Sequence, residues 1–251
     1  MKRSNGSRDK VLAKLLGGHR YRAINIPNAD TYQHTGWNKV LRFMKQVKFV
    51  ALSYDSNYTG IDSASMRRFL KHIGQLRVVK RLIMRSTFKS QKEYKQTLRV
   101  IRTLKSLREV SYHFSHSKPP STSLDLFQAL RRLIHLEKIR IRDSCLQDGN
   151  YELIGLCLQR LTKLKQVNLF FTLSMTPPDQ KEPHPLDTNI PSILRGLRNA
   201  IELVDLSLKI TNSTVVNDEI LIDCGIQIGN LRSLERLRLE VSTRIGESWH
   251  I

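Results

Sequence analysis

The apolar residues of this chain recur in two spacings that alternate along the sequence. Within residues 158–167 they stand three apart, and within residues 167–169 the spacing shortens to two. A three-residue step is typical of a helix and the turn that leaves it, whereas a two-residue step is typical of a strand with one buried face. The same arrangement returns within residues 130–141 and 228–239. Its return predicts a repeat architecture.

Eight strand units follow from this pattern, each with a pair of inward apolar residues. The first members of the pairs are Ile24, Val50, Leu82, Val110, Ile139, Val167, Leu206 and Leu237. The helices predicted between the strands are residues 37–44, 65–73, 92–104, 123–133, 151–161, 192–200 and 218–229. The steps between strands are 26, 32, 28, 29, 28, 39 and 31 residues. Residues 173–189, within the longest step, contain four prolines, which a helix interior cannot hold, so this segment is predicted as an inserted loop.

The repeat resembles the leucine-rich repeat superfamily and, by its length, the ribonuclease-inhibitor-like class. The core of that family reads Leu-x-x-Leu-x-Leu-x-x-Asn/Cys-x-Leu. Residues 136–141, 164–169 and 234–239 keep its first part. The chain departs from the family at the asparagine, where seven of the eight residues are small and polar. The eight are Ala29, Asp55, Thr87, Ser115, Ser144, Thr172, Thr211 and Ser242. Side chains of Ser, Thr and Asp also bond to nearby backbone groups, so the departure leaves the predicted fold intact.

The resemblance implies an α/β solenoid, a horseshoe with about eight parallel strands on its concave face and helices on its convex face. The repeat domain is predicted at residues 20–242, between a basic lead-in at residues 1–19 and a tail at residues 243–251. An ordinary α/β sheet, which also alternates strand and helix, is the alternative. The regular step favours the repeat.

The net charge is the strongest feature of the composition. The chain has 42 Lys and Arg against 22 Asp and Glu, a formal charge of +20. Such a surface attracts polyanions, whether nucleic acid, acidic proteins or anionic lipid. The alternative is a basic surface that is merely solvated.

The sequence also indicates a compartment. No apolar run reaches the ~18 residues that predict a membrane span, and the polar first ten residues do not resemble a secretory signal. The three cysteines are scattered, which argues against a disulfide framework or a zinc site. We therefore expect an intracellular protein, cytoplasmic or nuclear.

Motifs that carry catalysis are missing from the sequence. It contains no Gly-x-x-x-x-Gly-Lys-Ser/Thr loop, no His-Glu-x-x-His and no Gly-x-Ser-x-Gly elbow. His113 and His116 are the closest histidines, but at a strand end three residues apart means opposite faces. The sequence therefore predicts a non-enzymatic protein without a metal site, a cofactor or a small-molecule substrate.

The outward strand residues supply the candidate binding site. Eight of the 24 predicted outward residues are Lys or Arg, about twice the share in the whole chain, so a basic face is expected. Phe170 and Phe49 are large apolar residues at predicted exposed positions, where an aromatic side chain can contact a partner. The predicted partner-binding residues are Arg81, Arg85, Lys138, Arg140, Arg142, Phe170, Arg236 and Arg238.

Three functions remain open at this stage. The first is a protein-interaction scaffold that binds an acidic partner through the concave face, as the resemblance implies. The second is a nucleic-acid-associated protein that binds the phosphate backbone electrostatically, without a motif for base recognition. The third is a regulator of a small GTPase, since some such activators are leucine-rich repeat horseshoes. Those activators carry an acidic C-terminal region that this sequence lacks.

Overall fold

A computed structural model describes residues 22–26, 50–55, 79–86, 91–114, 123–146, 151–173, 190–213, 218–243 and 248–250. The helices predicted at residues 37–44 and 65–73 lie outside the described residues, as do the lead-in and residues 174–189 of the proline-rich insert. The first residue of that predicted insert, Leu173, belongs to a strand and pairs with Leu146.

Strands and helices alternate along the described chain. The strands are β1 (Arg22–Ile26), β2 (Val50–Asp55), β3 (Val79–Ser86), β4 (Glu109–Phe114), β5 (Lys138–Leu146), β6 (Gln166–Leu173), β7 (Asp205–Ser213), β8 (Arg236–Thr243) and β9 (Ser248–His250). The helices are α1 (Gln91–Thr103), α2 (Ser123–Leu130), α3 (Tyr151–Leu158), α4 (Ile190–Gly196) and α5 (Asp218–Gly229). A 3₁₀ turn, Leu197–Asn199, extends α4. From β3 to β8, parallel strands alternate with these helices, which confirms the predicted α/β alternation.

All nine strands form one sheet in chain order. Strands β1 to β8 pair in parallel, and β9 pairs antiparallel with β8. The sequence pattern did not indicate β9, which lies in the predicted tail. A sheet whose order follows the chain places each repeat beside the next one, as expected when one supersecondary unit is stacked repeatedly.

The register corrects one strand assignment. Leu52 pairs with Ile24 of β1 and with Leu82 of β3, so Leu52 is the counterpart of the first inward residue in both neighbours. The prediction of Val50 for that place was wrong by two residues. Val50 and Leu52 are both apolar and differ by one strand period, so the local pattern fits either choice. With Leu52 as the counterpart, the first two steps become 28 and 30 residues, closer to the rest.

Short turns explain the three-residue spacing of leucines. The Leu161 N–H donates to the Leu158 carbonyl at 2.8 Å, and the Leu164 N–H donates to the Leu161 carbonyl at 3.3 Å. All three side chains are buried. The same paired turns precede β4, β5, β7 and β8. Because these turns replace the last helical turn, α2 and α3 end three residues earlier than predicted, at Leu130 and Leu158.

A second set of hydrogen bonds joins each repeat to the next at the start of its strand. The N–H groups of Glu137 and Lys138 both donate to the Arg108 carbonyl, at 2.8 and 2.9 Å. Equivalent pairs of bonds reach the carbonyls of Glu137, Lys165 and Val204 from the strands that follow. These bonds fix where each strand begins, and so they fix which outward residues become neighbours.

The core lies between the sheet and the helices. The inward pairs of β3 to β7 are buried in one cluster with residues of α1 to α5. Leu239 of β8 is also buried, whereas Leu237 is half-buried. The opposite face of the sheet carries the outward residues. We call this opposite face the open face.

Candidate partner-binding face

Strand β5 shows how the sheet separates its two faces. Ile139 and Ile141 are 1% and 0% exposed, and they pack into the core. Lys138, Arg140 and Arg142 alternate with them and are exposed. Side chains alternate in this way because successive residues of a strand point to opposite faces. The predicted strand phase is therefore confirmed here, and three predicted site residues lie together on the open face. We call Lys138, Arg140 and Arg142 the cationic strip.

Strand register arranges the open face in three rows that run across the strands from β3 to β8. The first row is Arg81, Glu109, Lys138, Gln166, Asp205 and Arg236. The middle row is Ile83, Ser111, Arg140, Asn168, Ser207 and Arg238. The third row is Arg85, His113, Arg142, Phe170, Lys209 and Glu240. All eight predicted site residues therefore occupy outward register positions of one sheet face, although the side chain of Arg85 is not among those that the structure describes.

Acids neutralise the cations at both ends of the first row. Arg81 Nε lies 3.1 Å from Glu109 Oε1, on the neighbouring strand. Arg236 Nη2 lies 3.1 Å from Asp205 Oδ2. Gln166 Nε2 donates to the same Asp205 oxygen at 2.8 Å. These contacts are partly exposed and contribute little to stability, about 0–1 kcal/mol for an ion pair. Their main effect is to occupy Arg81 and Arg236 with partners inside the protein.

Glu240 has the same effect at the β8 end of the third row. It is 8% exposed and forms a short ion pair with Lys209. Arg238 Nη2 lies 3.4 Å from its other oxygen, Oε2. A nearly buried carboxylate needs such compensation, since an unpaired buried charge is costly. One acid thus engages two cations of the open face.

Phe170 lies between two cations of the third row. The Arg142 Cζ atom is 4.6 Å from the centroid of its ring, and the Lys209 Nζ atom is 5.7 Å from it. The two cations come from the strands on either side of β6. Distances of this size permit cation–π attraction, worth about 0.5–1 kcal/mol at exposed sites. Phe170 is half-buried, so beyond its predicted contact with a partner it also holds Arg142 in place.

The cationic strip differs from the basic residues on both sides of it. Among the residues that the structure describes, no carboxylate forms an ion pair with Lys138, Arg140 or Arg142. The outward positions of the strand pattern include these acids, but the pattern alone did not predict their partners. A signal for this pairing was available, because Glu109 occupies the same repeat position as Arg81, and Asp205 the same position as Arg236.

A second charged cluster lies at the edge where strands begin. A cavity of about 270 Å³ there is lined by Arg108, His135, Glu137, Lys163, Lys165 and Glu202. Lys163 and Lys165 lie 3.4 and 3.3 Å from the carboxylate of Glu202, in the following repeat. Hydrogen bonds from Lys165 and Lys163 hold the pKa of Glu202 below its usual range. These groups satisfy one another across repeats, so we interpret the cluster as a link between repeats.

Buried polar groups lie beneath the strip. Asp143 is 0% exposed, and its counterparts in the next three strands are Phe171, Ile210 and Val241. The apolar pattern did not predict a buried carboxylate there. Burial is the main cause that raises the pKa of Tyr94 above its ordinary value. The negative charges that an ionised Tyr94 would face at Tyr112, Asp125 and Asp143 raise the pKa further. The Tyr94 hydroxyl therefore stays protonated in the core.

The described residues offer little for metal or thiol chemistry. They contain no group of three or more His, Cys, Asp or Glu side chains placed to hold a metal ion. Burial raises the pKa of the Cys157 thiol, and burial together with Asp223 raises the pKa of Cys224 to about 11. Both thiols therefore remain protonated and unreactive near neutral pH.

None of the described helices has the length and apolar character needed to cross a membrane.

Comparison with known proteins does not identify the chain. The chain matches no family model, and no curated protein is significantly similar to it. Function must therefore be inferred from the open face itself.

Proposed function

We propose that this protein is a non-enzymatic, intracellular scaffold of leucine-rich repeats that binds an acidic protein through its open face. In such a solenoid the strands line the concave surface, which is where recognition residues project. The cationic strip, Lys138, Arg140 and Arg142, is the centre of the proposed interface. Its neighbours on the open face supply further polar contacts.

The repeat geometry supports the leucine-rich repeat part of the proposal. Each described unit that begins with β3, β4, β5, β6 or β7 has a parallel strand, a helix and two leucine-bearing turns in a constant order. The corrected register also improves the match to the family pattern in the second unit. Counting from Leu52 and Tyr54, the asparagine position of that unit falls on Asn57, the residue type that the family has there.

The unequal pairing of cations is the observation that carries the proposal. Arg81, Arg236 and Lys209 each form an ion pair with an acid from a neighbouring strand, whereas no described carboxylate forms an ion pair with the strip. Like charges two residues apart on a strand are about 7 Å from one another and repel. That repulsion does not help folding. A partner with negative charge would relieve it, and this gives the strip a reason to be basic.

The acids of the open face favour a protein over a nucleic acid. Glu109 and Asp205 lie in the same row as Lys138, one strand and two strands away from it. A continuous polyphosphate crossing this row would meet both carboxylates, which would oppose its binding. A protein surface can place basic groups against the acids and acidic groups against the strip, so complementary charge there increases specificity.

The proposal is tested by reversing the charge of the strip. A variant with Lys138→Glu, Arg140→Glu and Arg142→Glu is compared with a control that carries Lys95→Glu, Arg99→Glu and Arg132→Glu. The control residues are exposed on the helix side, in α1 and just after α2, and give the same change in net charge. The probes are immobilised polyglutamate and a short duplex DNA, each measured over a series of salt concentrations. Thermal midpoints of both variants are recorded.

We expect the strip variant to bind polyglutamate at least about tenfold more weakly than the control, a difference of ~1.4 kcal/mol. The thermal midpoints should be nearly unchanged, because exposed charges contribute little to stability. Equal losses in both variants would show that only net charge matters, and the proposal would fail. Stronger binding to duplex DNA, with a log–log salt slope of about −0.9 per contacted phosphate, would favour the nucleic-acid alternative.

A further inference from the structure

The middle row of the open face carries shorter side chains than the rows beside it. Between β4 and β7 its residues are Ser111, Asn168 and Ser207, apart from Arg140 on β5. The first and third rows carry mainly long side chains at the same strands. Because short side chains stand between longer ones on β4, β6 and β7, they form a shallow channel across the strands, into which the exposed side chain of Arg140 projects from β5. We call it the middle channel.

Contacts within the two flanking rows keep their long side chains out of this channel. In the first row, Gln166 and Arg236 both turn sideways along the row to Asp205. In the third row, Arg142 and Lys209 are directed towards Phe170. Side chains held along their own row do not cover the row between them. The channel is therefore open to a partner segment that crosses the strands.

Two arginines of the middle row set the spacing of the charges that would fit. Arg140 lies on β5 and Arg238 on β8, three strands away, or about 14 Å at the usual strand separation of ~4.8 Å. The side chain of Arg238 is 73% exposed and its contact with Glu240 is 3.4 Å, so it can also contact a ligand. In an extended chain, residues four apart span about 13–14 Å and point to the same side.

We infer that the partner presents an extended acidic segment that lies in the middle channel, across the strands, with carboxylates four residues apart on Arg140 and Arg238. This inference rests on the proposed function and specifies its partner. Lys138 and Arg142 then flank the segment from the first and third rows. A segment lying along β5 instead would have to cross both flanking rows, and it would leave the row of short side chains without a role.

The spacing is tested with three immobilised peptides of identical composition. Each has about nine residues, enough to cover the ~24 Å from β3 to β8, and contains two Glu among neutral residues. The two Glu stand two, four or five residues apart. A peptide without Glu measures the background, and oligothymidylate is the nucleic-acid probe. Binding is measured at low salt with the wild-type protein and with the charge-reversed strip variant.

The path of the segment is tested by blocking the channel away from the strip. Ser207→Trp places a large side chain in the middle row on β7, two strands from Arg140. Thr162→Trp is the matched control, at an exposed turn residue before β6 and outside the open face. Thermal unfolding of both variants verifies that they are folded. Arg238→Gln removes the second arginine without changing the size of the side chain greatly.

We expect the peptide with Glu four residues apart to bind about tenfold more tightly than the other two, as the loss of one ion contact implies. Ser207→Trp and Arg238→Gln should remove that preference, and Thr162→Trp should keep it. The strongest binding with Glu two residues apart, together with no effect of Ser207→Trp, would show that the segment lies along β5 and would overturn this inference. Stronger binding of oligothymidylate than of any peptide would also overturn it.

The same measurements separate failure of the inference from failure of the proposed function. If all three acidic peptides bind equally and the strip variant loses all of them, the strip binds acids without a defined path. The inference then fails and the proposed function stands. If no acidic peptide exceeds the background, or the strip variant binds them as well as the wild type does, the proposed function itself fails.

Discussion

On its inward face the sheet repeats nearly the same residue types from strand to strand, whereas on the open face almost every strand differs. The second inward position of the last six parallel strands is always a large apolar side chain, and each is buried. These residues are Met84, Tyr112, Ile141, Leu169, Leu208 and Leu239. The outward position beside them varies in charge, size and aromaticity. The inward face is therefore constrained by packing, and the open face is not.

The two faces of the sheet therefore contribute differently to the free energy of folding. Burial of apolar side chains stabilises the stack of repeats, at about 25 cal/mol per Å² removed from water. The partly exposed ion pairs of the open face contribute far less. Substitutions on the open face can therefore change binding without unfolding the protein.

Substitutions at two adjacent residues of β6 should differ most in their effect on the free energy of unfolding. Leu169 is 0% exposed in the core, and Asn168, next to it, is half-buried on the open face. Leu169→Ala should lower the free energy of unfolding by about 2–5 kcal/mol, because it removes buried methyl groups and leaves a cavity. Asn168→Ala should change it by about 0.5 kcal/mol or less. Urea denaturation of both variants measures the difference, and equal effects would mean that the strand phase is wrong.

The helix layer should be intolerant of even one added methyl group where α3 meets α4. A Cβ atom at Gly155 would lie 2.2 Å from the Ser192 carbonyl oxygen, and one at Gly196 would lie 2.2 Å from the Gly155 carbonyl oxygen. Gly155→Ala must push the two helices apart, so we expect a loss of about 1–3 kcal/mol in the free energy of unfolding.

Gly225 provides the matched control for that substitution. It lies in α5 and is exposed, and a methyl group added there would meet no atom within 4 Å. Gly225→Ala should stabilise the protein by about 0.4–1 kcal/mol, because alanine restricts the unfolded chain and favours a helix. In chemical denaturation, the change in the free energy of unfolding should thus have opposite signs in the two variants. A similar effect of both would show that the helices α3 and α4 are less tightly packed than their backbone distances indicate.

Removing an acid from the open face should have the smallest effect on stability. Glu109→Gln deletes the partner of Arg81 and should change the free energy of unfolding by about 0.5 kcal/mol or less. Affinity for polyglutamate should rise about two- to fivefold, since Arg81 is released. Glu137→Gln is the control, because Glu137 pairs with Arg108 at the edge where strands begin. A matching rise in the control would attribute the gain to net charge.

Much of the fold was predictable because it depends on local spacing. The alternation of Ile139 and Ile141 with the cationic strip follows from two-residue periodicity, and the structure places each on the expected face. The candidate site was predictable to the same extent, as a set of outward residues. Its ion pairs were not, except through the repeat itself, which aligns Arg81 with Glu109 although they are 28 residues apart in the sequence. Contact between them depends on how two strands align.

The repeat unit and the phase of most strands are therefore encoded locally, since a buried stripe must recur with the period of its own element. Tertiary structure alone decided the alignment between strands. It aligned Leu52 rather than Val50 with Leu82. It also brought Asp205 into an ion pair with Arg236, and Glu240 into an ion pair with Lys209. Register between parallel strands is set by bonds between repeats, far apart along the chain, so no local pattern specifies it. That register, rather than the count of basic residues, leaves Lys138, Arg140 and Arg142 without an ion-paired acid among the described residues.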